Sequence, residues 1–364
     1  MSSILFSRLR LSIFGQSHSE GIGAVLDGLP PGEALDLEAL QRFLERRAPG
    51  RWEWSTDRRE PDIFEILSGL KAGRTCGAPL AVLIRNKDAR PADYEGKAFR
   101  PGHGDYTAGM RYGDSADLSG GGHLSGRLTA PLCLAGGICL QILARRGVRV
   151  GAHILSIEGI WDESYDPVNL TEEELLLPGT RPFPVLREGQ GEAMVQRIRR
   201  ARAAGDSVGG LLECCALGVP AGLGDPMFDG MENRIARLAF AVPGVKGVEF
   251  GAGFSLAKMR GSAANDPFLL REGRVICESN HAGGILGGIT TGMPLILRAA
   301  IKPTPSVALP QRSVSADLSR ELSIKTKGRH DPCILPRAVP VLEAVLALAV
   351  LDAMMEKWGE GNGT

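Results

Sequence analysis

The feature that most constrains the fold is an uncharged run from residue 128 to residue 144, which is followed by Arg145-Arg146-Gly147. A run of this length without charge predicts a helix buried in the core, with basic residues at its C-terminus and a glycine that stops it. A second apolar run, residues 344–351, lies between Glu343 and Asp352. Both runs are shorter than the roughly 20 residues of a membrane span. We therefore predict two core helices and no membrane association.

The segment that leads into the first helix, residues 100–130, combines residue types that suit a site. It contains His103, His123, three acids, three arginines and the glycine triplet 120–122, with almost no apolar periodicity. Glycines let the backbone approach a ligand, and N–H groups near a helix N-terminus favour an anion such as phosphate. A surface loop whose glycines only make turns is the alternative. The two histidines favour a site, because histidine exchanges protons near neutrality.

Composition limits the class of protein. The 364 residues are 43% hydrophobic, which allows a large core, and they balance 42 basic against 42 acidic residues. That balance gives no general attraction to nucleic acid or membranes, so recognition of an anion must be local. Seven cysteines without Cys-x-x-Cys spacing argue against disulfides and structural zinc. Because the N-terminus also lacks a signal-peptide pattern, we predict a cytoplasmic protein without a metal site.

Strands and helices are predicted to alternate along the rest of the chain. Asp36 is expected to cap a helix that ends near Arg46 and Arg47. His153 is expected to be a packed core residue. The glycine pair at residues 251–253 lacks the third glycine of a dinucleotide fingerprint, which excludes a Rossmann site. Strands are predicted within residues 9–29, 62–70, 79–85, 148–160, 208–219 and 245–254, and further helices within 192–204, 232–241 and 339–358.

Three polar clusters each leave two interpretations open. Arginines between residues 46 and 59 form either a solvated loop of paired charges or guanidinium forks for carboxylates and phosphate. Lys302, Thr304 and Ser306 suit a terminal phosphate, or they belong to a proline-rich connector. Asp331 is either a reactive carboxylate or a turn cap before Pro332.

The histidine-bearing motifs, which show no metal-ligand spacing and no obvious nucleophile, suggest proton transfers on a multiply anionic substrate. In order and spacing they resemble the motifs of the chorismate synthase family. The matching segments are Phe-Gly-Gln-Ser-His at 14–18, Arg-Pro-Gly-His-Gly-Asp-Tyr at 100–106, Ser-Asn-His-Ala-Gly-Gly-Ile-Leu-Gly-Gly-Ile at 279–289, Lys-Pro-Thr at 302–304 and Gly-Arg-His-Asp-Pro-Cys at 328–333. The resemblance extends from near the start of the chain to its C-terminal helix.

This resemblance implies an α+β fold, a layered sandwich with helices between antiparallel β-sheets, as one domain over residues 1–364. It implies a homotetramer that converts 5-enolpyruvylshikimate 3-phosphate to chorismate, the last common step of the shikimate pathway, by loss of the 3-phosphate and a C6 hydrogen. Reduced FMN is implied as cofactor without net redox change, with NADPH as candidate reductant.

The resemblance also assigns roles to residues. His18 resembles the acid that assists phosphate departure, and His103 the proton donor to the reduced flavin. Asp331 resembles the carboxylate near the flavin N5, with Ser17 and Ser125 as hydroxyl partners. Arg47 and Arg127 are the candidates for substrate anions. The candidates for flavin contacts are His123, Leu124, Ser125, Gly287, Lys302, Pro303, Thr304, Pro305, Ser306 and Arg329.

The chain departs from the family pattern at three places. Gln16 and Glu53 stand where relatives commonly have glutamate and arginine, and His123-Leu124 replaces an arginine-containing sequence. The change at Glu53 weakens the inference that NADPH binds this loop. Two other classes of protein stay open at this point, a non-catalytic flavin- or phosphate-binding protein and a flavin oxidoreductase with net hydride transfer. Phosphate release without flavin oxidation would distinguish the lyase from both.

Overall fold

The computed structural model describes residues 3–5, 8–50, 52, 54–56, 60–87, 98–326 and 331–361. The helices are α1 (Leu37–Arg47), α2 (Asp105–Tyr112), α3 (Thr129–Ala144), α4 (Glu172–Thr180), α5 (Glu188–Ala203), α6 (Met231–Phe240), α7 (Gly261–Ala264) and α8 (Leu335–Gly361). The strands of the N-terminal half are β1 (Ile4–Leu5), β2 (Arg10–Gly15), β3 (Gly21–Asp27), β4 (Phe64–Ile66), β5 (Leu70–Lys71), β6 (Arg74–Thr75), β7 (Leu80–Arg85), β8 (Arg149–Ile157) and β9 (Ile160–Trp161). Those that follow are β10 (Gly210–Leu217), β11 (Val245–Phe250), β12 (Phe268–Arg271), β13 (Arg274–Cys277), β14 (Ile285–Leu286), β15 (Ile289–Thr290), β16 (Leu295–Ile301), β17 (Gln311–Val314) and β18 (Glu321–Ile324).

Two antiparallel sheets form outer layers around a helical layer. The first has the strand order β1-β2-β3-β7-β4 and the second the order β11-β16-β10-β8-β9. In the second sheet, Gly210 lies opposite Ile157 on one side and Ile301 on the other. Helix α3 packs on the first sheet, α8 packs on the second, and the two helices pack on each other. The predicted α+β class, with helices between antiparallel sheets, is confirmed.

Helix α3 is the predicted buried helix. Every residue from Thr129 to Cys139 is buried, which satisfies the uncharged sequence because no side chain there requires water. Gly136 allows close approach of α8, since a Cβ at this position would lie 2.2 Å from the Cβ of Ala344. Gly147 has a φ of +77°, as expected of a glycine that ends a helix.

Helix α8 begins four residues before its predicted start and carries two buried carboxylates at the ends of its most apolar run. Glu343 accepts hydrogen bonds from Nη1 and Nη2 of Arg46 at 2.7 and 2.8 Å. Asp352 accepts one from the backbone N–H of Leu9 at 2.7 Å. A hydrogen bond to a charged group contributes about 1.5–3 kcal/mol. These contacts therefore fix the register of α8 against α1 and the first sheet.

Helix α8 is longer than the apolar run within it, and short 3-10 helices at Ser119–Leu124 and Gly126–Leu128 lead into α3. By length and composition alone, the helical stretches Ser119–Ala144 and Leu335–Lys357, which contain the two apolar runs, could cross a membrane. Within the fold, 83% and 94% of the most apolar part of each stretch is buried. Core helices of soluble proteins have the same length, composition and burial.

His153 is fully buried in β8, and this prediction is confirmed. Its Nε2 lies 3.1 Å from Glu213 and its Nδ1 lies 3.4 Å from Asp162. Burial lowers the pKa of His153, but the two carboxylates outweigh burial and raise it above its ordinary value. The residue is thus the centre of a buried ionic cluster.

Candidate active site

A cavity of about 510 Å³ lies where distant parts of the chain converge. This volume falls within the range of about 300–1,000 Å³ that is usual for small-molecule sites. Its wall is built from the β2–β3 turn, the C-terminal end of α1 and residues within the segments 102–107, 118–129, 242–244, 302–305 and 331–341. Most of the motifs that suggested chemistry in the sequence therefore meet in one place.

Ser17 and His18 lie in the β2–β3 turn, directly against the glycine triplet. The backbone N–H of Ser17 donates to the carbonyl of Gly122 at 3.1 Å. Gly120 has a φ of +58°, and a Cβ there would lie 2.1 Å from Cε1 and 2.3 Å from Nδ1 of His18. The ring of His18 therefore leaves room only for glycine at position 120.

His103 precedes α2 and contacts the loop after β16. Its Nε2 lies 2.6 Å from the hydroxyl of Ser306. Nearby, Asp105 accepts hydrogen bonds from Nε and Nη2 of Arg100, each at 2.7 Å. Burial raises the pKa of Asp105, but Arg100 outweighs burial and holds it below its ordinary value. The ionised Asp105 attracts the ring of His103 when that ring is protonated.

Arg47 and Arg127, the predicted substrate-binding arginines, are buried side by side. Nη1 of Arg47 donates to Oδ2 of Asp62 at 2.8 Å, and Nη1 of Arg127 donates to Oδ1 of the same carboxylate. The Nε and Nη2 of Arg47 donate to the hydroxyl of Thr129 at 3.1 Å and to the carbonyl of Gly126 at 2.9 Å. Arg47 is therefore not part of a solvated loop, and the protein itself occupies its guanidinium fork.

Asp331 lines the same cavity and is paired with a cation from α8. Its Oδ2 accepts a hydrogen bond from Nη1 of Arg337 at 2.5 Å, and its Oδ1 accepts one from the N–H of Thr56 at 2.9 Å. Nε of Arg337 donates to the carbonyl of Arg47 at 3.0 Å. Asp331 thus joins α8 to the distant segment around Thr56.

The loop of residues 302–306 supplies a cation and hydroxyl groups. Nζ of Lys302 donates to the carbonyl of Gly102 at 2.5 Å. Burial and the neighbouring Lys246 both lower the pKa of Lys302. The hydroxyl of Thr304 is buried and has no hydrogen-bond partner among the described residues. A buried polar atom of this kind is expected to bond to a ligand or to water.

Sequence comparison identifies the family of this site. The profile of the chorismate synthase family matches residues 9–355. The chain belongs to the chorismate synthase family. Chorismate synthase from Thermococcus kodakarensis is 46% identical over 351 residues, 96% of each chain. That from Korarchaeum cryptofilum is 45% identical over 358 residues, 98% of each chain. A crystal structure of chorismate synthase matches with a TM-score of 0.76 at 29% identity and covers 96% of this chain and 92% of its own.

Most residues implied by the chorismate synthase resemblance lie on this cavity. Ser306 is buried and does not line the cavity, but its hydroxyl lies 2.6 Å from Nε2 of His103. The roles assigned to these residues stay predictions. The predicted residues on the wall are Ser17, His18, Arg47, His103, Leu124, Ser125, Arg127, Lys302, Pro303, Thr304, Pro305 and Asp331.

Two predicted flavin contacts lie away from this wall. His123 lines a smaller cavity of about 300 Å³, where its Nδ1 is 2.7 Å from the carbonyl of Gly15 and its Nε2 contacts the hydroxyl of Ser3. Gly287 lies in the turn between β14 and β15, outside both cavities. Their flavin contacts also stay predictions. Outside the described residues lie Arg329, His330, Glu53 and the arginines at 51, 58 and 59.

Sequence reasoning missed two charged residues of the site, Asp62 and Arg337. Asp62 follows the arginine cluster, where the acids are so numerous that none stands out. Arg337 lies near the start of an apolar helix and was overlooked. A cation in such an apolar segment indicates a charge that is paired within the protein. The histidine of the 279–289 motif lies elsewhere, with Nδ1 of His281 3.1 Å from Asp266.

Proposed function

We propose that the cavity between His18, His103 and Asp331 is where this chain converts 5-enolpyruvylshikimate 3-phosphate to chorismate. The reaction is a 1,4-anti elimination of phosphate and a C6 hydrogen, and the enzyme is a carbon–oxygen lyase. The observation that carries the proposal is the convergence of these three titratable residues, from distant parts of the chain, on one cavity. Proton transfer requires such groups within reach of a single bound molecule.

The charges on the wall fit this substrate, which has a phosphate and two carboxylates. Arg47, Arg127, Arg337 and Lys302 all line the cavity. Arginine suits carboxylates and phosphates because its N–H groups form a planar fork. Since the chain as a whole has no net charge, the N–H groups that these cations do not donate to the protein give the local recognition that the composition requires.

His18 is assigned the proton that assists departure of the phosphate. Its ring is held against Gly120 and exposed to the cavity. Asp331 is assigned as the base, and its hydrogen bond with Arg337 holds its side chain at the cavity edge. His103 is assigned as a proton donor, and its bond to Ser306 fixes the orientation of its ring.

The residues of the 302–306 loop fit FMN, which we propose as the cofactor. The buried hydroxyl of Thr304, which bonds to none of the described residues, and the ammonium of Lys302 offer polar contacts. Ser125 lines the same wall and caps the turn before α3. Thr304, Lys302 and Ser125 would hold the cofactor, which in its reduced form would supply transient electron density for breaking the C–O bond without net redox change.

We also propose a cytoplasmic homotetramer of one-domain subunits. Large apolar side chains are exposed on the second half of the chain, with Phe254 78%, Phe268 64% and Leu270 76% exposed. Exposed apolar patches commonly mark surfaces that another subunit covers. We propose NADPH as the reductant for the case in which the chain itself reduces the flavin. An anaerobic assay with NADPH as sole reductant tests this case.

The function is tested with purified protein under anaerobic conditions. The protein is mixed with chemically reduced FMN and 5-enolpyruvylshikimate 3-phosphate, and phosphate, chorismate and flavin absorbance are followed together. We expect equal amounts of phosphate and chorismate while the flavin stays reduced. Oxidation of one flavin per turnover would indicate an oxidoreductase, and binding without phosphate release would indicate a binding protein. Either result contradicts the proposal.

A further inference from the structure

A single buried carboxylate holds two arginines of the cavity wall. The side chain of Asp62 is 0% exposed, and those of Arg47 and Arg127 are each 3% exposed. The two oxygens of Asp62 are divided between the two guanidinium groups. Burial raises the pKa of Asp62, but attraction to Arg47 and Arg127 outweighs burial and lowers it below its ordinary value. Asp62 is therefore ionised in the folded protein.

Without Asp62, the two buried guanidinium groups would lie together with only the more distant carboxylate of Glu60, 3.9 Å from Nη2 of Arg127, to offset their charges among the described residues. The pKa of Arg127 is lowered below its ordinary value, because burial and the charge of Arg47 outweigh the attraction of Asp62 and Glu60. Repulsion between neighbouring guanidinium groups is strong where water is excluded. Asp62 thus bridges the two arginines, with one oxygen on each guanidinium group.

Of the guanidinium nitrogens of Arg47 and Arg127, only Nη2 of Arg127 makes no hydrogen bond to a described residue. Each of the three guanidinium nitrogens of Arg47 already donates to the protein. In Arg127, Nε donates to Oδ1 of Asn86 at 3.0 Å and Nη1 donates to Asp62. Nη2 of Arg127 makes no hydrogen bond within the described residues, and the carboxylate of Glu60 lies 3.9 Å from it. Buried N–H groups without acceptors are costly, so an anionic ligand oxygen is their expected partner.

We propose that Asp62 is a positioning residue for substrate binding, which holds Arg127 so that Nη2 points at an anionic oxygen of the substrate. It acts through the arginines and does not itself touch the substrate. The inference rests on the proposed function, since it takes 5-enolpyruvylshikimate 3-phosphate as the ligand. Arg47 in this arrangement is mainly a support, because each of its three guanidinium nitrogens already donates to the protein, whereas Nη2 of Arg127 donates to no described residue.

Asp62→Asn tests the proposal, because it keeps the volume but removes the charge and one acceptor. We expect the KM and the Kd for substrate, the latter measured by titration calorimetry without flavin, to rise about 10- to 100-fold. The kcat should stay within about threefold of the wild-type value, because no proton donor or base is altered. Asp162→Asn is the matched control, since Asp162 is also a buried, ion-paired carboxylate but lies outside the cavity.

Asp62→Glu is a second variant in case the asparagine variant does not fold. It keeps the charge but displaces the carboxylate by one methylene group, so a positioning role still predicts a raised Kd. Wild-type Kd in either folded variant would overturn the proposal, as would an equal rise in Asp162→Asn. If the wild-type protein forms no chorismate, the proposed function fails. An active wild-type protein with an unaffected Asp62→Asn variant refutes only the role of Asp62.

Discussion

Gly120→Ala is the most direct test of how the glycine triplet supports catalysis. Gly120 adopts φ 58° and ψ 21°, which is the left-handed helical region. An alanine there costs about 1–2 kcal/mol in backbone energy. Its Cβ would also lie 2.1 Å from Cε1 of His18, whereas ordinary contact begins at 3.4 Å. The ring or the loop must therefore move by about 1.3 Å, the difference between these two distances.

A displacement of this size is large for a proton donor. Misplacing a reacting group by about 1 Å can lower the rate about 10²-fold. The strained backbone of the alanine variant lowers the free energy of unfolding, whereas the displacement of His18 lowers kcat. The two effects can therefore be measured separately. Gly121→Ala is the matched control. Gly121 also has a positive φ, of 88°, but the nearest atom to its added Cβ is Cβ of Ser125 at 3.6 Å.

The assay combines thermal unfolding with steady-state phosphate release in the presence of reduced FMN. Both alanine variants should unfold at a lower temperature than the wild type. Only Gly120→Ala should lose kcat, by about 10²-fold. Equal kcat values in the two variants would refute the argument, because they would show that the contact between Gly120 and His18 does not position the ring.

Three further predictions concern the other titratable groups. His103→Ala should fold normally and lower turnover by about 10²- to 10⁴-fold, and near-normal turnover would return His103 to a structural role. Asp331→Asn should bind FMN and substrate almost normally but lose turnover about 10²-fold, and a stopped-flow flavin absorbance change at the wild-type rate would exclude it from the chemistry. His153→Gln should cost about 3–5 kcal/mol near pH 6. Because the folded pKa of His153 is above 6.5, its contribution is full below pH 6.5 and is lost as pH rises through the folded pKa. The pKa values of Asp162 and Glu213 are lowered, so their contributions are lost only as pH falls below about 3.8 and 4.5 through their folded values. Unfolding measured from pH 5 to pH 9 should show a difference that shrinks with pH, and a constant difference would contradict the ionic role.

Local and periodic signals were sufficient for much of the fold. Asp36 was predicted as a helix cap, and its carboxylate accepts from the N–H of Ala39 at 2.9 Å. The uncharged run at residues 128–144 is α3, and its burial follows directly from its composition. Boundaries were less certain, because packing decides them. The strand predicted within residues 62–70 is only the three residues of β4 and the start of β5.

The site was only partly predictable, because its ion pairs join residues far apart in sequence. Asp62 pairs with an arginine 65 positions later in the chain. Glu343 pairs with Arg46 across 297 positions. The number of charged residues in segment 46–59 is compatible with buried ion pairs and with a solvated loop, so the sequence alone could not distinguish the two. Only the fold shows which charges lose contact with water.

The ion pairs also explain how a chain without net charge can bind a multiply anionic substrate. Around the cavity, Arg47 and Arg127 share Asp62, and Arg337 pairs with Asp331. A surplus of bare buried cations would be costly and would attract any anion, whereas paired cations keep only the donors that their partners leave unused. Selectivity then depends on where the unused N–H groups point. It follows that substitutions that alter these directions at constant charge, such as Asp62→Glu, should affect affinity more than added surface lysines, whose fields are screened by salt.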